Sequence, residues 1–441
     1  MPPASPPPKF ALLLVFLVVF IDLLGFGMVL PLLPVYTEQI AEEVVPNYVP
    51  FVVAALTVCF SLMQFLFSPL WGRLSDRIGR RPVLLIGLVG STTCYVVFAA
   101  AMVWQSLVWL FVARIGAGIA GATISTAQAF IADVTPRERR ARGMALIGAA
   151  FGLGFTFGPL LGALALLAGG DAATSPWPGL AAAALSGGAF ALALWKLPET
   201  RTRRAAAAAP YFDLAALRAT LRIPSIPLLL AASFLGVFAL ANFEATASLS
   251  IKTLLEPRVP EEFIGRRILL TFAYIGLVQT LVQGVLVRRL ALSLSETCLS
   301  VTGAALGIAG YALLALALAF DRGLVVFLAG ATITVSGVAF LAPAVQSLVS
   351  RRVDPHRMGG VLGVNESLSS LARITAKGSG VLLFFAQPSA PFWLAASLMT
   401  LTLTLVIAAV RRGRDWQEPE EGGARRDRES SRTEMLASAG R

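Results

Sequence analysis

The chain is poor in charge, in histidine and in lysine. Only 14% of its 441 residues are charged, against roughly 25% in an ordinary soluble domain. The single histidine, His356, sits among Arg351, Arg352 and Arg357, so no zinc constellation is available. The four lysines are Lys9, Lys196, Lys252 and Lys377, and none stands in Gly-Lys-Ser/Thr, which leaves no phosphate-binding loop. With one histidine and no metal set, nothing resembles a hydrolase centre. An enzyme is not expected, and neither is a cofactor. The three cysteines, Cys59, Cys94 and Cys298, all lie inside apolar runs. They are expected to be free, buried thiols rather than a disulfide framework.

What the chain has instead is apolar length. Hydrophobic residues make up 56% of it, in runs that reach the roughly 20 residues needed to cross a bilayer. Twelve such spans are expected, near 10–35, 51–72, 83–103, 106–132, 143–168, 178–196, 226–252, 266–287, 297–319, 323–349, 361–385 and 391–410. The first run carries Asp22 and is too long for a cleaved leader, so it is read as a span. The organisation expected is a disordered proline-rich stretch at 1–9, a six-helix bundle at 10–196, a polar linker at 197–224, a second six-helix bundle at 225–410, and a disordered tail at 411–441. In the linker, Leu214, Leu217 and Leu221 share a helical face edged by Arg218 and Arg222. A short helix on the membrane surface and a frayed linker both fit this pattern. The fold class is thus an all-α polytopic membrane protein.

Basic residues fall on one side of these spans. Of the 36 Lys and Arg, 28 lie on the side of the Gly72–Arg81 link and five on the other. The positive-inside rule therefore places both termini in the cytoplasm. The net charge of +11 is a topology signal, and a nucleic-acid partner is not expected. The link itself reads Gly72-Arg73-Leu74-Ser75-Asp76-Arg77-Ile78-Gly79-Arg80-Arg81, followed by Pro82. A tight, basic hairpin is expected there. Gly72 and Gly79 would allow close approach and positive φ, and Pro82 would preset the first turn of the next helix.

This link, Gly-x-x-x-Asp-Arg-x-Gly-Arg-Arg, resembles the signature between the second and third helices of the major facilitator superfamily. Further stretches agree. Ile21-Asp22-Leu23-Leu24-Gly25-Phe26-Gly27 with Pro31 and Pro34 is similar to the first helix of tetracycline-efflux-like drug:proton antiporters. Arg114-x-x-x-Gly118-x-x-Gly121 resembles the fourth-helix signature, and Asp133-Val134-Thr135-Pro136 the loop after it. Gly154-x-x-x-Gly158-Pro159-x-x-Gly162 is similar to the antiporter pattern of the fifth helix, from which Ala145 and Ala163 depart. Leu197-Pro198-Glu199-Thr200 is a further family habit. The resemblance covers roughly residues 10–410 and is weaker in the second half, where only Gly284 and Arg288-Arg289 of the link pattern remain. It implies the major facilitator fold, with twelve transmembrane helices in two six-helix bundles. It also implies a proton gradient as energy source and a conformational gate at Gly72, Asp76, Arg77, Gly79, Arg80, Arg81, Asp133, Gly154, Gly158 and Pro159.

The chemistry is expected among polar residues inside the spans. A charge in hydrocarbon costs at least ~2.5–3.5 kcal/mol, so such groups face a cavity or a partner. Asp22 lies about twelve residues into its span, ~18 Å deep at 1.5 Å per residue. Arg114 lies ~12 Å in from the other side. In a core ~30 Å thick these depths meet, so an Asp22–Arg114 pair is expected, either as a proton switch or as a static ion pair. Glu244, next to Asn242, is either a second proton site or a residue at the outer surface. Gln64, Gln128, Asn242, Gln279 and Gln283 are candidates for a substrate cavity or for interhelical hydrogen bonds. Arg373 and Lys377 share a helical face. They either line the cavity, giving it a net positive charge attractive to anions, or Lys377 snorkels outward. Glu366 is expected to meet water near the end of its span.

The function expected is secondary transport by alternating access: proton-coupled efflux of a small amphiphilic or organic-anion compound by a monomer in the plasma membrane. A passive facilitator or a proton symporter of an organic anion is the alternative within the class. A non-transporting solute sensor is the alternative outside it, and net flux separates the two. The partners expected are the small-molecule substrate, protons and the lipid bilayer.

Overall fold

The computed structural model describes residues 8–135, 140–169, 174–200, 225–256, 258–290, 293–353 and 358–413. Among them it is all helical, with no strand. The first half comprises α1 (Pro8–Val29), α2 (Leu33–Val44), α3 (Val49–Ile78), α4 (Arg80–Val103), α5 (Leu107–Gly121), α6 (Ile124–Val134), α7 (Arg140–Gly169) and α8 (Trp177–Lys196). The second comprises α9 (Ile226–Leu255), α10 (Glu261–Leu281), α11 (Glu296–Ala319), α12 (Gly323–Arg351), α13 (Met358–Ala386) and α14 (Ala390–Arg412). Among the described residues eleven helices, counted after joining α5 to α6 and α10 to its continuation, are long and apolar enough to cross a membrane. The 29-residue α13 is not among them, because Glu366, Arg373 and Lys377 lower its hydropathy. Its length and its packing between α3 and α9 are consistent with a twelfth crossing. The expected surface helix at 213–222 and the tail beyond residue 413 lie outside the described residues.

Two expected spans are broken. The first ends at Val29, and after a turn the chain resumes as α2. Pro31 has no N–H to continue the ladder, and Leu32 bonds back three residues to Val29 instead. The fourth breaks at Ala122–Thr123, where Thr123 Oγ1 bonds the Ala120 carbonyl. In addition, α10 passes through a π-helical turn at Val282–Val287 before ending at Leu290.

The helices form two bundles. In the first, α1 packs on α7 and α8, and α4 packs on α5 and α8. The α1–α7 crossing is close because glycines face each other. A Cβ on Gly27 would lie 2.7 Å from the Gly154 carbonyl, and one on Gly158 would lie 2.8 Å from Gly27 Cα. Small residues let helix backbones meet where apolar burial gives no drive. In the second bundle α11 packs on α12 and α14, and α9 on α13 and α14. The bundles meet along α7–α10 and α3–α13. At the first of these seams Thr156 and Thr280 hydroxyls are 3.1 Å apart, and Thr280 donates to the Gly152 carbonyl at 3.1 Å.

The link between α3 and α4 is not a hairpin loop. Helix continues to Ile78 and restarts at Arg80, leaving Gly79 alone between them. Gly79 has φ +109°, and Gly72 is helical with open space around its Cα. The expected close approach at Gly72 is therefore absent, and only Gly79 needs glycine for its backbone. Arg80 ties the corner together. It pairs with Asp76 at 2.6 Å and with Asp133 of α6 at 3.2 Å, and it donates to Ser75 Oγ at 2.6 Å. The Glu199 carboxylate accepts from the backbone N–H of Arg80 and of Arg81, at 3.0 and 3.2 Å. It thereby caps α4, whose first N–H groups have no intrahelical partner. Arg81 reaches the Leu194 carbonyl at the end of α8, at 2.7 Å. The cysteines are free, but Cys298 is exposed and Cys59 and Cys94 are only partly covered. Burial of all three was too strong an expectation.

Gly79→Ala places a side chain at positive φ and against the Glu199 carboxylate. A loss of about 1–3 kcal/mol is expected, read as a lower thermal midpoint in detergent, with Glu199→Gln showing a smaller drop. An unchanged midpoint in Gly79→Ala would show that the corner tolerates a Cβ.

Candidate functional site

A cavity of about 740 Å³ lies between the two bundles. Its walls include Ser68 and Pro69 in the last part of α3, Leu84 and Leu88 in the first part of α4, and Gly363 and Glu366 near the start of α13. All of these lie toward the Gly79 side, and there the cavity opens. Toward the other side Val35, Val49, Val53 and Ala54 join the core of the second bundle, packed with residues of α9. That seal also carries charge. Lys252 Nζ of α9 is 2.9 Å from Glu38 of α2 and 3.3 Å from Glu256, and Gln39 donates to Glu261 at 2.9 Å. In the sequence Lys252 is only the last residue of the expected span 226–252. Its partner is 214 residues away, and no local pattern announces the pairing.

The structure brings most of the expected polar residues to this cavity. Asp22, Gln64, Arg114, Gln128, Glu244, Arg373 and Lys377 all line it. Gln64 donates to the Gly121 carbonyl at 3.4 Å, and Gln128 is exposed to the open space. Three expected residues are elsewhere. Asn242 is 1% exposed, and its amide donates to the Pro391 carbonyl at 3.0 Å, so it joins α9 to α14 rather than meeting a solute. Gln279 and Gln283 are not on the cavity wall, and Gln283 is exposed within the π-helical turn. No residue of α10 or of its continuation to Leu290 lines the cavity, because this helix packs along α7 at the seam between the bundles.

Asp22 and Arg114 do not pair. Asp22 accepts from Ser186 Oγ of α8 at 2.8 Å and is also hydrogen-bonded by Ser91 of α4. Arg114 is 4% exposed and lies over the Phe60 ring, 4.6 Å from its centroid. Its buried Nε has no partner among the described residues. Tyr95, buried and on the cavity wall, interacts electrostatically with both. Both residues line the same cavity, but direction around the helix axis was not available from spacing. The serines, Phe60 and Tyr95 carried no signal in the sequence, because isolated polar and aromatic residues are common in spans.

On the opposite wall Arg373 pairs with Glu366 at 3.3 Å. Glu366 thus reaches the cavity, and the expected positive excess disappears: Arg114, Arg373 and Lys377 face Asp22, Glu244 and Glu366. Lys377 is 7% exposed and does not snorkel outward. Its Nζ contacts Ser61 Oγ of α3 at 3.3 Å, across the bundle boundary. Glu244 is an electrostatic neighbour of Lys377, without ion-pair contact.

Two helical bundles that close around a charged cavity, sealed at one end and open at the other, are the architecture of a transporter. Residues 15–376 match the family model of the Major Facilitator Superfamily, and the chain belongs to that superfamily. It is 31% identical to the class C tetracycline resistance protein of Escherichia coli, over 91% of this chain and 97% of that protein. It is 30% identical to Major facilitator superfamily domain-containing protein 10 of Homo sapiens, over 84% of this chain and 86% of that one. The crystal structure of the human organic anion transporter MFSD10 (TETRAN) superposes with a TM-score of 0.66 at 27% identity, covering 91% of this chain and all of that one. The protein is therefore a multi-pass membrane transporter and not an enzyme.

Removing one partner of a largely covered ion pair leaves the other buried and uncompensated. Lys252→Ala is therefore expected to loosen the sealed side. In a Val53→Cys background, labelling by a membrane-impermeant maleimide should speed up about tenfold. The same rate with and without Lys252 would show that apolar packing alone holds the seal.

Proposed function

We propose that the chain is a proton-coupled exporter of a small amphiphilic compound, working as a monomer by alternating access, with Asp22 as the group that carries the proton. The observation that carries this reading is the setting of Asp22. It is a carboxylate on the cavity wall, within α1, held by serine hydroxyls and by no cation among the described residues. A carboxylate without a fixed counter-charge gains and loses a proton as its access to water changes. Tyr95 is an electrostatic neighbour of both Asp22 and Arg114. A cavity of about 740 Å³ falls in the range that buries a drug-sized molecule. Kinship with resistance proteins supports export. The distribution of basic residues supports cytoplasmic termini and hence a cavity open to the cytoplasm, and kinship with bacterial resistance proteins supports a plasma-membrane location.

In this reading the α3–α4 corner governs switching and does not touch substrate. Arg80, Asp76 and Asp133 fasten the ends of α3, α4 and α6 to one another, so that this part of the first bundle moves as a block. Gly154, Gly158 and Pro159 form the α1–α7 seam that the block carries with it.

Asp22→Asn is expected to reduce flux driven by a pH gradient in proteoliposomes at least about tenfold, while the purified variant still binds substrate and runs as a single species. Wild-type proton-driven flux in this variant would sink the assignment. Net flux that is indifferent to the gradient in the wild type would favour a passive facilitator, and ligand binding without net flux a sensor. Asp76→Asn is expected to slow turnover severalfold with ligand affinity unchanged. A large loss of affinity at normal turnover would move Asp76 out of the gate.

A further inference from the structure

We propose that Arg114 and Lys377 together form an anion subsite at the deep end of the cavity, shaped for the carboxylate of an aromatic monoanion. This deepens the transport reading above and rests on it for what becomes of the bound anion.

The two cations come from different bundles and converge on neighbouring positions of α3. Arg114 of α5 lies over the ring of Phe60, and Lys377 of α13 contacts the hydroxyl of Ser61. Both side chains are more than nine-tenths covered and both line the cavity. Neither has an ion pair among the described residues, and the Arg114 Nε is buried with no acceptor. The third cation of the cavity, Arg373, is already neutralised by Glu366 nearer the mouth. The six charges on the wall balance in number, and Glu244 is an electrostatic neighbour of Lys377, but it makes no ion-pair contact, so two cations meet at the inner end with no carboxylate bound to either. Two like charges that far from bulk water call for a counter-charge. A guanidinium offers a fork that fits a carboxylate, and an ammonium adds a point charge beside it.

The neighbouring wall is aromatic. Phe26 stands between Phe60 and Phe155, with ring centroids 5.1 and 5.9 Å away, and all three line the cavity. A flat apolar body attached to the carboxylate would lie against these rings, which prefer offset or edge contacts. Such a ligand joins a cation of the first bundle to a cation of the second, so its binding holds the bundles in one relative position.

The test is calorimetric titration of the purified full-length protein in detergent at neutral pH with three matched probes: naphthaleneacetate, its uncharged amide, and naphthylmethylammonium. Naphthaleneacetate should bind about tenfold or more tighter than the amide, and the ammonium weakest. Lys377→Gln and Arg114→Gln should each bring the acid close to the amide. Lys377→Arg, which keeps the charge, should retain the preference and guards against a variant that merely misfolds. Equal affinity for acid and amide, tighter binding of the ammonium, no measurable binding of the acid at millimolar concentration, or an acid preference that survives Lys377→Gln would each overturn the subsite. Because this measurement uses no gradient and no flux, it fails separately from the transport reading. Acid binding without proton-driven flux would leave the subsite standing and remove the exporter. Proton-driven flux of neutral or cationic compounds only would do the reverse.

Discussion

A charge cannot be left in hydrocarbon, and this one constraint orders the molecule. Asp22, Arg114, Glu244, Glu366, Arg373 and Lys377 sit on helices that must cross the bilayer, so each helix turns its charged side toward the slit between the bundles. The outer faces are left to leucine, valine and phenylalanine, which the lipid accepts. A cavity in the middle of the protein follows from this, and among the described residues all six side chains line it. The same six residues are therefore at once the reason for the cavity's position and the source of its chemistry.

The second requirement is that helices approach closely enough to enclose such a space. Lipid tails are as apolar as leucine, so burial of apolar surface does not drive helix against helix. Contact between backbones does. Gly27, Gly154 and Gly158 supply it between α1 and α7, and Gly303, Gly310 and Gly337 supply it between α11 and α12, where an added Cβ would fall within 2.7 Å of the facing helix. The polar corner at Gly79 works differently. There, water is near, and the helix ends are held by Arg80 and the Glu199 cap. Rigid bundles with polar hinges at one face are suited to moving as bodies.

Electrostatics then divides the cavity. Near the mouth Arg373 and Glu366 satisfy each other. Deeper, Asp22 is held by hydroxyls on the first bundle, while Arg114 and Lys377 converge on Phe60 and Ser61 with no ion-pair contact among the described residues. A sum over the wall gives zero, so net charge says little about what the cavity takes. Segregation along its depth says more, because a ligand meets the charges one after another. At the sealed end the Lys252–Glu38 contact replaces solvent for two further charges, and it exists only while the bundles are together on that side.

Apolar run length and charge asymmetry by themselves determined the membrane class, the helical fold and the positions of most spans, because a bilayer demands about twenty apolar residues per crossing whatever the neighbours are. Spacing also named Asp22, Arg114 and Lys377 as charges inside spans, and all three line the cavity. It could not give rotation about the helix axis. That is why Asn242 fell on a structural bond to Pro391 and why Asp22 met Ser186 rather than Arg114; Gln279 and Gln283 missed the cavity because their whole helix lies off its wall. Nor could local pattern foresee contacts such as Lys252 with Glu38 or Lys377 with Ser61, which join residues 214 and 316 positions apart. Sequence decides which residues must leave the lipid; only the packed bundles decide which of them face one another, because that choice depends on how glycine seams rotate and seat each helix against its neighbours.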